Sequence, residues 1–226
     1  MAVHAERAYA RLAAATGDAR YRTVADELWQ DMLEVRLREW DWEGQFEDQE
    51  ITPKYYNLTH VDVHAAIGGV LARDDKGTAR DLLRFVEDQF VCWQMPFYPH
   101  LKLWPQQWKW VDRDRMWHAP RPGSWWEFPC ALEQYNYYVP VDASAACVIR
   151  SFLALYRATG NPLDLAKAKA LGAALVRRQC ADGFIPTAWN ESPRNLADDC
   201  EKCRKSYWIN CLLHDATVLF ELAETR

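Results

Sequence analysis

The chain has 226 residues, half of them apolar and 26% charged, with a formal net charge of −5. That length and apolar content suit one globular domain over 1–226 with a substantial core. Acidic and basic residues are mixed along the chain, so no basic stripe favours nucleic acid, and no apolar run is long enough to span a membrane. The first residues lack the apolar core of a signal peptide, which favours a cytoplasmic location.

The spacing of apolar residues predicts seven helices and no convincing strand. In chain order the predicted helices cover 3–15, 19–37, 60–73, 78–93, 142–158, 163–180 and 206–224. Gly17 is predicted to end the first helix, and Thr78 to cap the fourth. The predicted fold class is therefore all-α, built from antiparallel helical hairpins.

One phrase of the sequence occurs twice. Residues 12–18 read LAAATGD, and residues 155–161 read LYRATGN. A helical run follows each copy, and a glycine-aromatic loop follows each run, at 42–46 and at 181–185. A repeated helical hairpin predicts an array in which each hairpin covers the apolar face of the next.

The second copy, from Ala154 to Thr187, reads A-L-Y-x-A-T-G-N, a helix, and then Q-x-x-D-G-F-I-P-T. This pattern resembles the hairpins of the six-hairpin glycosidase-like superfamily. The resemblance implies part of an (α/α)6 toroid, whose inner helices and rim loops form a substrate cleft. It also implies a carbohydrate partner, since the superfamily contains glycoside hydrolases, unsaturated glycuronyl hydrolases, sugar 2-epimerases and polysaccharide lyases. Seven helices are too few for the whole toroid, so an oligomer could complete the barrel.

The segment 95–140 is long, rich in proline and aromatic residues, and predicted to be a loop. Sugar rings present C–H faces and hydroxyl edges, and a site for them needs aromatic platforms beside polar groups. We therefore expect a carbohydrate cleft here, although the same rings could instead pin the loop to the helices. The predicted substrate-binding residues, from this segment and the loop before the last helix, are Trp108, Trp110, Trp117, Trp125, Trp126, Tyr135, Tyr137 and Trp189.

Glycoside hydrolysis by paired carboxylates, which flank the scissile bond, is the leading hypothesis for function. Glu133 and Asp142 are the first candidates, followed by Glu127 and by Asp48 in the loop after the first hairpin. Glu133 lies among tyrosines whose apolar rings would raise its pKa. Asp142 could instead cap a helix, and each acid taken alone could be an ordinary turn residue.

His60 and His64 stand four residues apart, on one face of a predicted helix. That spacing suits acid–base chemistry or a metal, although a histidine near a helix N-terminus can also act as a cap. These histidines, with Tyr135, support the alternative of a sugar epimerase or uronate lyase. The rival from another class is a non-catalytic module that binds a glycan or a protein through its tryptophans. A terpenoid cyclase is disfavoured because no Asp-rich diphosphate motif occurs.

Cys200, Cys203, Cys211 and His214 form a C-x2-C-x7-C-x2-H pattern. Four soft ligands at this spacing could hold a structural zinc, with ordinary buried or surface thiols as the alternative. No other cofactor is expected, since the chain has no glycine-rich phosphate loop. The total of seven cysteines is odd, which favours a reduced cytoplasmic protein.

Overall fold

A computed structural model of the chain describes residues 2–31, 33, 60–94, 127–132, 140–181, 183–187 and 209–225. The helices of this part are α1 Ala2–Thr16, α2 Ala19–Asp31, α3 His60–Leu71, α4 Lys76–Phe90, α5 Asp142–Thr159, α6 Pro162–Arg178 and α7 Ile209–Glu224. Two short strands, β1 Val91–Cys92 and β2 Cys130–Ala131, pair antiparallel. The described part is therefore mostly helical, which agrees with the predicted all-α class. None of its helices has both the length and the apolar character needed to cross a membrane.

The two copies of the repeated phrase form equivalent hydrogen bonds. The hydroxyl of Thr16 donates to the carbonyl of Leu12, and that of Thr159 donates to the carbonyl of Leu155, both at 2.7 Å. The glycine that follows each threonine has a φ near +70°, a left-handed conformation in which glycine avoids the clash of a Cβ. The predicted helix stops at these turns are therefore confirmed.

The predicted boundaries of α4 were wrong at both ends. Its cap is Asp75, whose carboxylate accepts a hydrogen bond from the backbone N–H of Thr78 at 2.9 Å, so Thr78 is not the cap. The helix ends at Phe90, and Cys92, which was predicted to be helical, lies in β1 opposite Cys130. Strands of two residues are too short to show the alternation by which a sequence indicates a strand.

The hairpins pack as a row with two layers. The helices α1, α3, α5 and α7 form one layer in which each contacts the next, while α2, α4 and α6 each pack on the preceding member of that layer. Contacts advance together along α5 and α7. Asp142 lies beside Asp215, and Arg157, fifteen residues further along α5, reaches Glu221, six residues further along α7. These two helices therefore run parallel, and their N-termini lie at the same end of the layer.

Two outer helices are joined by a forked ion pair. Arg80 of α4 donates from both terminal nitrogens to the two carboxylate oxygens of Asp164, at 2.6 and 2.5 Å. Asp164 lies in the first turn of α6, and its side chain is only 2% exposed. Because a buried carboxylate is costly without a partner, this pair stabilises the position of α6 relative to α4.

The central helix α5 carries the core. Eleven of its residues are buried, and the largest of them, Phe152, has no accessible surface. The ring of Phe152 packs at 60° to that of Trp93, which follows β1, with the ring centroids 6.0 Å apart. The helix α5 contacts both α3 and α7. The ionisable residues described next lie around its N-terminal turns.

Candidate functional site

Asp142 and Asp215 form a buried pair of carboxyl groups between α5 and α7. Neither residue has any accessible surface. Asp142 is the first residue of α5, and its backbone N–H donates to the carbonyl of Thr187 at 3.0 Å. The N-cap of this helix is Val141, which makes no side-chain cap, and Asp142 Oδ1 accepts a hydrogen bond from the backbone N–H of Ala143 at 2.6 Å.

The surroundings of the pair favour the protonated form of Asp142. Burial, and then the neighbouring charge of Asp215, raise the pKa of Asp142 to about 10. Burial also raises the pKa of Asp215, to about 7, while the hydrogen bond from Asp142 and the charge of Arg150 act in the opposite direction. The pair therefore retains at least one proton at neutral pH, and the surroundings favour that proton on Asp142.

The thiol of Cys211 adjoins both carboxyls. It lies one helical turn before Asp215 on α7 and is itself buried. Burial raises the pKa of Cys211 to about 12, and the neighbouring carboxyls of Asp142 and Asp215 act in the same direction, although a hydrogen bond from Thr187 opposes this change. The thiol is therefore protonated and unreactive as a nucleophile at neutral pH.

A second group of side chains adjoins the pair and is basic. Arg150, two turns into α5, donates from Nη1 to Nδ1 of His214 at 2.8 Å and pairs through Nε with Glu221 at 3.5 Å. Because a guanidinium can only donate, Nδ1 of His214 must accept, which leaves the proton of the neutral ring on Nε2. Burial and the charge of Arg150 lower the pKa of His214, so the neutral ring is favoured.

His64 extends this group to α3, and Arg7 extends it to α1. Burial first, and then the charges of Arg150, Arg7, His4 and His214, lower the pKa of His64 to about 4. Its Nδ1 is buried and has no hydrogen-bond partner among the residues described. Burial likewise lowers the pKa of Arg7. We call Arg7, His64, Arg150 and His214 the basic cluster.

The structure places the sequence-predicted residues in three different situations. Asp142, His64, Cys211 and His214 lie in or beside the two groups above. Glu127 is instead paired with Arg177 of the outer helix α6. Outside the described residues are Asp48, Trp108, Trp110, Trp117, Trp125, Trp126, Glu133, Tyr135, Tyr137, Trp189, Cys200, Cys203 and the side chain of His60.

The predicted zinc site is only half described. Cys211 and His214 are present on α7, and both of the remaining ligands fall outside the described residues. Within the described ranges no cluster of three or more metal-ligating side chains occurs. Burial and the nearby carboxyls of Asp142 and Asp215 favour the protonated thiol of Cys211 over the thiolate that zinc needs.

Sequence reasoning missed Asp215, Arg7 and Arg150. The first of these left a signal, because Cys211, Asp215 and Val218 follow the spacing of one helical face and the other two members are apolar. An aspartate on an apolar stripe indicates a buried carboxyl. The two arginines left no such signal, since an arginine on an amphipathic helix is normally an exposed residue.

Comparisons with known proteins found no match among the protein-family models, the curated proteins or the solved structures.

Proposed function

We propose that this chain is a carbohydrate-active acid–base enzyme of the six-hairpin glycosidase-like type, and that it moves a proton on its substrate as a sugar epimerase or uronate lyase does. The observation that carries the proposal is the contrast between Asp142 and His64. One is a carboxyl held in its protonated form, and the other is an imidazole held neutral. Two titratable groups whose environments push their pKa values apart are the usual mark of an acid and a base.

The arrangement of the helices supports the architectural part of this proposal. Three consecutive hairpins and a seventh helix form a row with an inner and an outer layer. The acid and the base both lie in the first two turns of helices of one layer, Asp142 on α5 and His64 on α3. A toroid built by continuing this row would place such residues on one rim, around a central cleft.

Proton transfer is favoured over hydrolysis by the spacing of the carboxyls. The two carboxyl groups of a glycoside hydrolase stand about 5–10 Å apart, because a sugar or a water must fit between them. Asp142 and Asp215 instead lie within hydrogen-bond reach of each other. They retain a proton as a unit, and because neither carboxyl has any accessible surface here, Asp142 can deliver that proton to a substrate only in a state that exposes it.

Hydrolysis remains the second candidate, on one specific observation. A hydrolase needs a carboxyl that is protonated at neutral pH as its proton donor, and Asp142 meets this requirement. Its partner would be a second carboxylate at hydrolase spacing, for which Glu133 stays the prediction.

The test is product analysis with matched variants. The chain is incubated with uronate-containing oligosaccharides, aryl glycosides and free sugars. A lyase creates an ultraviolet-absorbing double bond, an epimerase changes configuration alone, and a hydrolase releases a new reducing end without ultraviolet absorbance. We expect Asp142→Asn and His64→Gln each to lower turnover by about 100-fold or more. Asp81→Asn, which alters an exposed carboxylate on α4, serves as the control. Full turnover in both site variants contradicts the proposal.

A non-catalytic assembly module is the competing function from another class. The helix α7 exposes Ile209 by 78%, Leu213 by 63% and Phe220 by 72%. Such large apolar side chains at helical spacing on one face are typical of a surface that another helix covers. Under this alternative the chain would assemble through α7, in the way that the next hairpin of a toroid would pack.

A further inference from the structure

The basic cluster has a composition that catalysis of proton transfer alone does not require. It brings two permanent positive charges, Arg7 and Arg150, beside the imidazoles of His64 and His214, and its four members come from four helices of one layer. We propose that this cluster binds an anionic group of the substrate, so that the substrate is an acidic sugar bearing a carboxylate or a phosphate. This inference rests on the proposed function, because it names the substrate class of that site.

Two carboxylates beside the cluster are each shared with an arginine outside it. Glu6 accepts a hydrogen bond from Arg73, with 3.1 Å between Glu6 Oε1 and Arg73 Nη1. Glu221 pairs with Nε of Arg150 at 3.5 Å and is shared with Arg157. No salt bridge to Arg7 occurs among the described residues. A chain of net charge −5 thus concentrates positive charge at one place, which is the electrostatic pattern of an anion site.

The cluster is accessible, whereas the neighbouring carboxyl pair is not. Arg7, His64, Arg150 and His214 all keep part of their surface, while Asp142 and Asp215 keep none. The side chain of Arg150 is only 14% exposed and is held by His214 and Glu221, so a ligand would meet the guanidinium of Arg7 most directly. The Nε2–H of His214, whose orientation Arg150 fixes through Nδ1, supplies a further donor of defined direction.

The guanidinium of Arg7 packs against Gly68 of α3. A Cβ at position 68 would lie 2.9 Å from Cζ of Arg7 and 3.0 Å from Nη2, closer than such atoms pack. The glycine therefore lets the guanidinium lie flat against the α3 backbone, one turn from His64. Gly68→Ala changes no charge and displaces only this side chain, so it tests the geometry of the cluster separately from its charge.

An anion bound here has a consequence that can be measured without turnover. The charged neighbours that face His64 are Arg7 and His4 from α1, Arg150 from α5 and His214 from α7, and all of them oppose its protonation. An anion placed among them offsets these charges, so its binding raises the pKa of His64. By linkage, the anion binds more tightly to the form in which His64 is protonated.

The experiment is an NMR titration of the histidine rings in the whole chain. The titration is run in sodium sulfate and in sodium chloride of equal ionic strength, which controls for screening. We expect sulfate to raise the pKa of His64 by about one unit more than chloride does, as befits an offset neighbouring charge. The shift should shrink in Arg7→Gln and in Gly68→Ala and persist in Arg84→Gln, a control that removes an exposed charge of α4.

Affinity measurements then identify the source of the anion. Glucuronate, glucose 6-phosphate and glucose are compared by calorimetry at low salt. We expect one of the two anionic sugars to bind at least about tenfold more tightly than glucose, a difference of about 1.4 kcal/mol. Whichever of the two binds more tightly decides between a carboxylate and a phosphate.

Two results overturn the inference. One is an equal His64 pKa in sulfate and chloride, and the other is glucose binding as tightly as both anionic sugars. Turnover of neutral sugars without any anion effect would leave the proposed function standing and remove this inference. An anion effect without turnover of any sugar supports the anion site and counts against the proposed function.

Discussion

The carboxyls of Asp142 and Asp215 lie side by side in a part of the interior that has no accessible surface. One residue begins α5 and the other lies in the second turn of α7, so the pair also joins two parallel helices of the same layer. Two ionised carboxylates could only repel each other there, because neither has a proton to donate. The pair is therefore stable as long as it retains a proton.

This pair predicts that the stability of the fold falls as pH rises. An unfolded aspartate releases its proton near pH 3.8, whereas native Asp142 keeps its proton to about pH 10. The native state therefore binds more protons than the unfolded state between these limits, and the free energy of unfolding falls with pH by at most about 1.4 kcal/mol per unit for each such group. Below pH 3.8 the effect vanishes, since both states are protonated.

Denaturant titrations at pH 5, 7 and 9 measure this dependence. In Asp142→Asn the amide cannot ionise, so we expect the fall in stability across this range to be clearly smaller than in the native chain. The comparison is Asp75→Asn, which removes the carboxylate that caps α4 and whose pKa is lowered by its hydrogen bond with Thr78. This variant should be less stable than the native chain at pH values above the ordinary pKa of aspartate. Parallel pH profiles for the native chain and Asp142→Asn would refute the shared proton.

The ion pair of Arg80 with Asp164 predicts a large cost for removing one partner. Arg80→Ala leaves the carboxylate of Asp164, only 2% exposed, without its forked donor. We expect the free energy of unfolding to fall by about 3 kcal/mol, as for other broken buried pairs. Equilibrium denaturation measures this change.

The matched control for Arg80 is Arg84, which lies one turn further along the same helix. Arg84→Ala removes an arginine that is 70% exposed and pairs with an exposed aspartate, so it should cost under about 1 kcal/mol. The double variant Arg80→Met with Asp164→Leu removes both charges and should recover most of the lost stability. Equal losses in Arg80→Ala and Arg84→Ala would mean that the pair contributes nothing beyond a surface contact.

The parts of the fold that were predicted correctly are those whose causes are local. The turn after α1 is encoded within a few residues, since Thr16 bonds to Leu12 and Gly17 supplies the left-handed conformation. The same phrase at the end of α5 produces the same turn, so the hairpin repeat could be predicted without any tertiary contact.

The candidate site was only partly predictable because its causes are not local. Asp142 was chosen from its place in the sequence, but its protonation depends on Asp215, which α7 brings from 73 positions along the chain. The role proposed for Arg7 and Arg150 depends on their position near His64, which lies on a third helix. No spacing within one segment carries this information, since it arises from how α1, α3, α5 and α7 pack.

A close helix contact predicts opposite effects for two glycine substitutions. At Gly69 of α3, an added Cβ would lie 2.3 Å from the indole of Trp29, which is 6% exposed and covered by Arg73 at 3.8 Å. Alanine gains about 1 kcal/mol of helix propensity there, but overpacking costs about 1–3 kcal/mol. We expect Gly69→Ala to lower the melting temperature, because the indole has no free space into which to move.

Gly77 provides the matched control in α4. Its nearest neighbour would be Asp75 Oδ1 at 3.6 Å, which is an ordinary contact. Gly77→Ala should therefore be neutral or raise stability by up to about 1 kcal/mol through helix propensity alone. Thermal denaturation of both variants decides the matter, and stabilisation of both would show that Trp29 does not restrict position 69.

The exposed face of α7 predicts self-association if the chain acts as an assembly module. Leu213 and Phe220 lie seven residues apart on one side of the helix and are more than half exposed. Burying such side chains against a second helix yields about 25 cal/mol for each Å² of apolar surface. Under that function we expect the native chain to form dimers or larger species in sedimentation equilibrium.

Phe220→Glu should shift the chain to monomer without a change in its melting temperature, because this side chain makes no contact in the core. Leu163→Glu, which alters an exposed leucine on α6, should leave the assembly intact. A native chain that stays monomeric at every concentration would remove the assembly alternative and leave the acid–base enzyme as the remaining proposal.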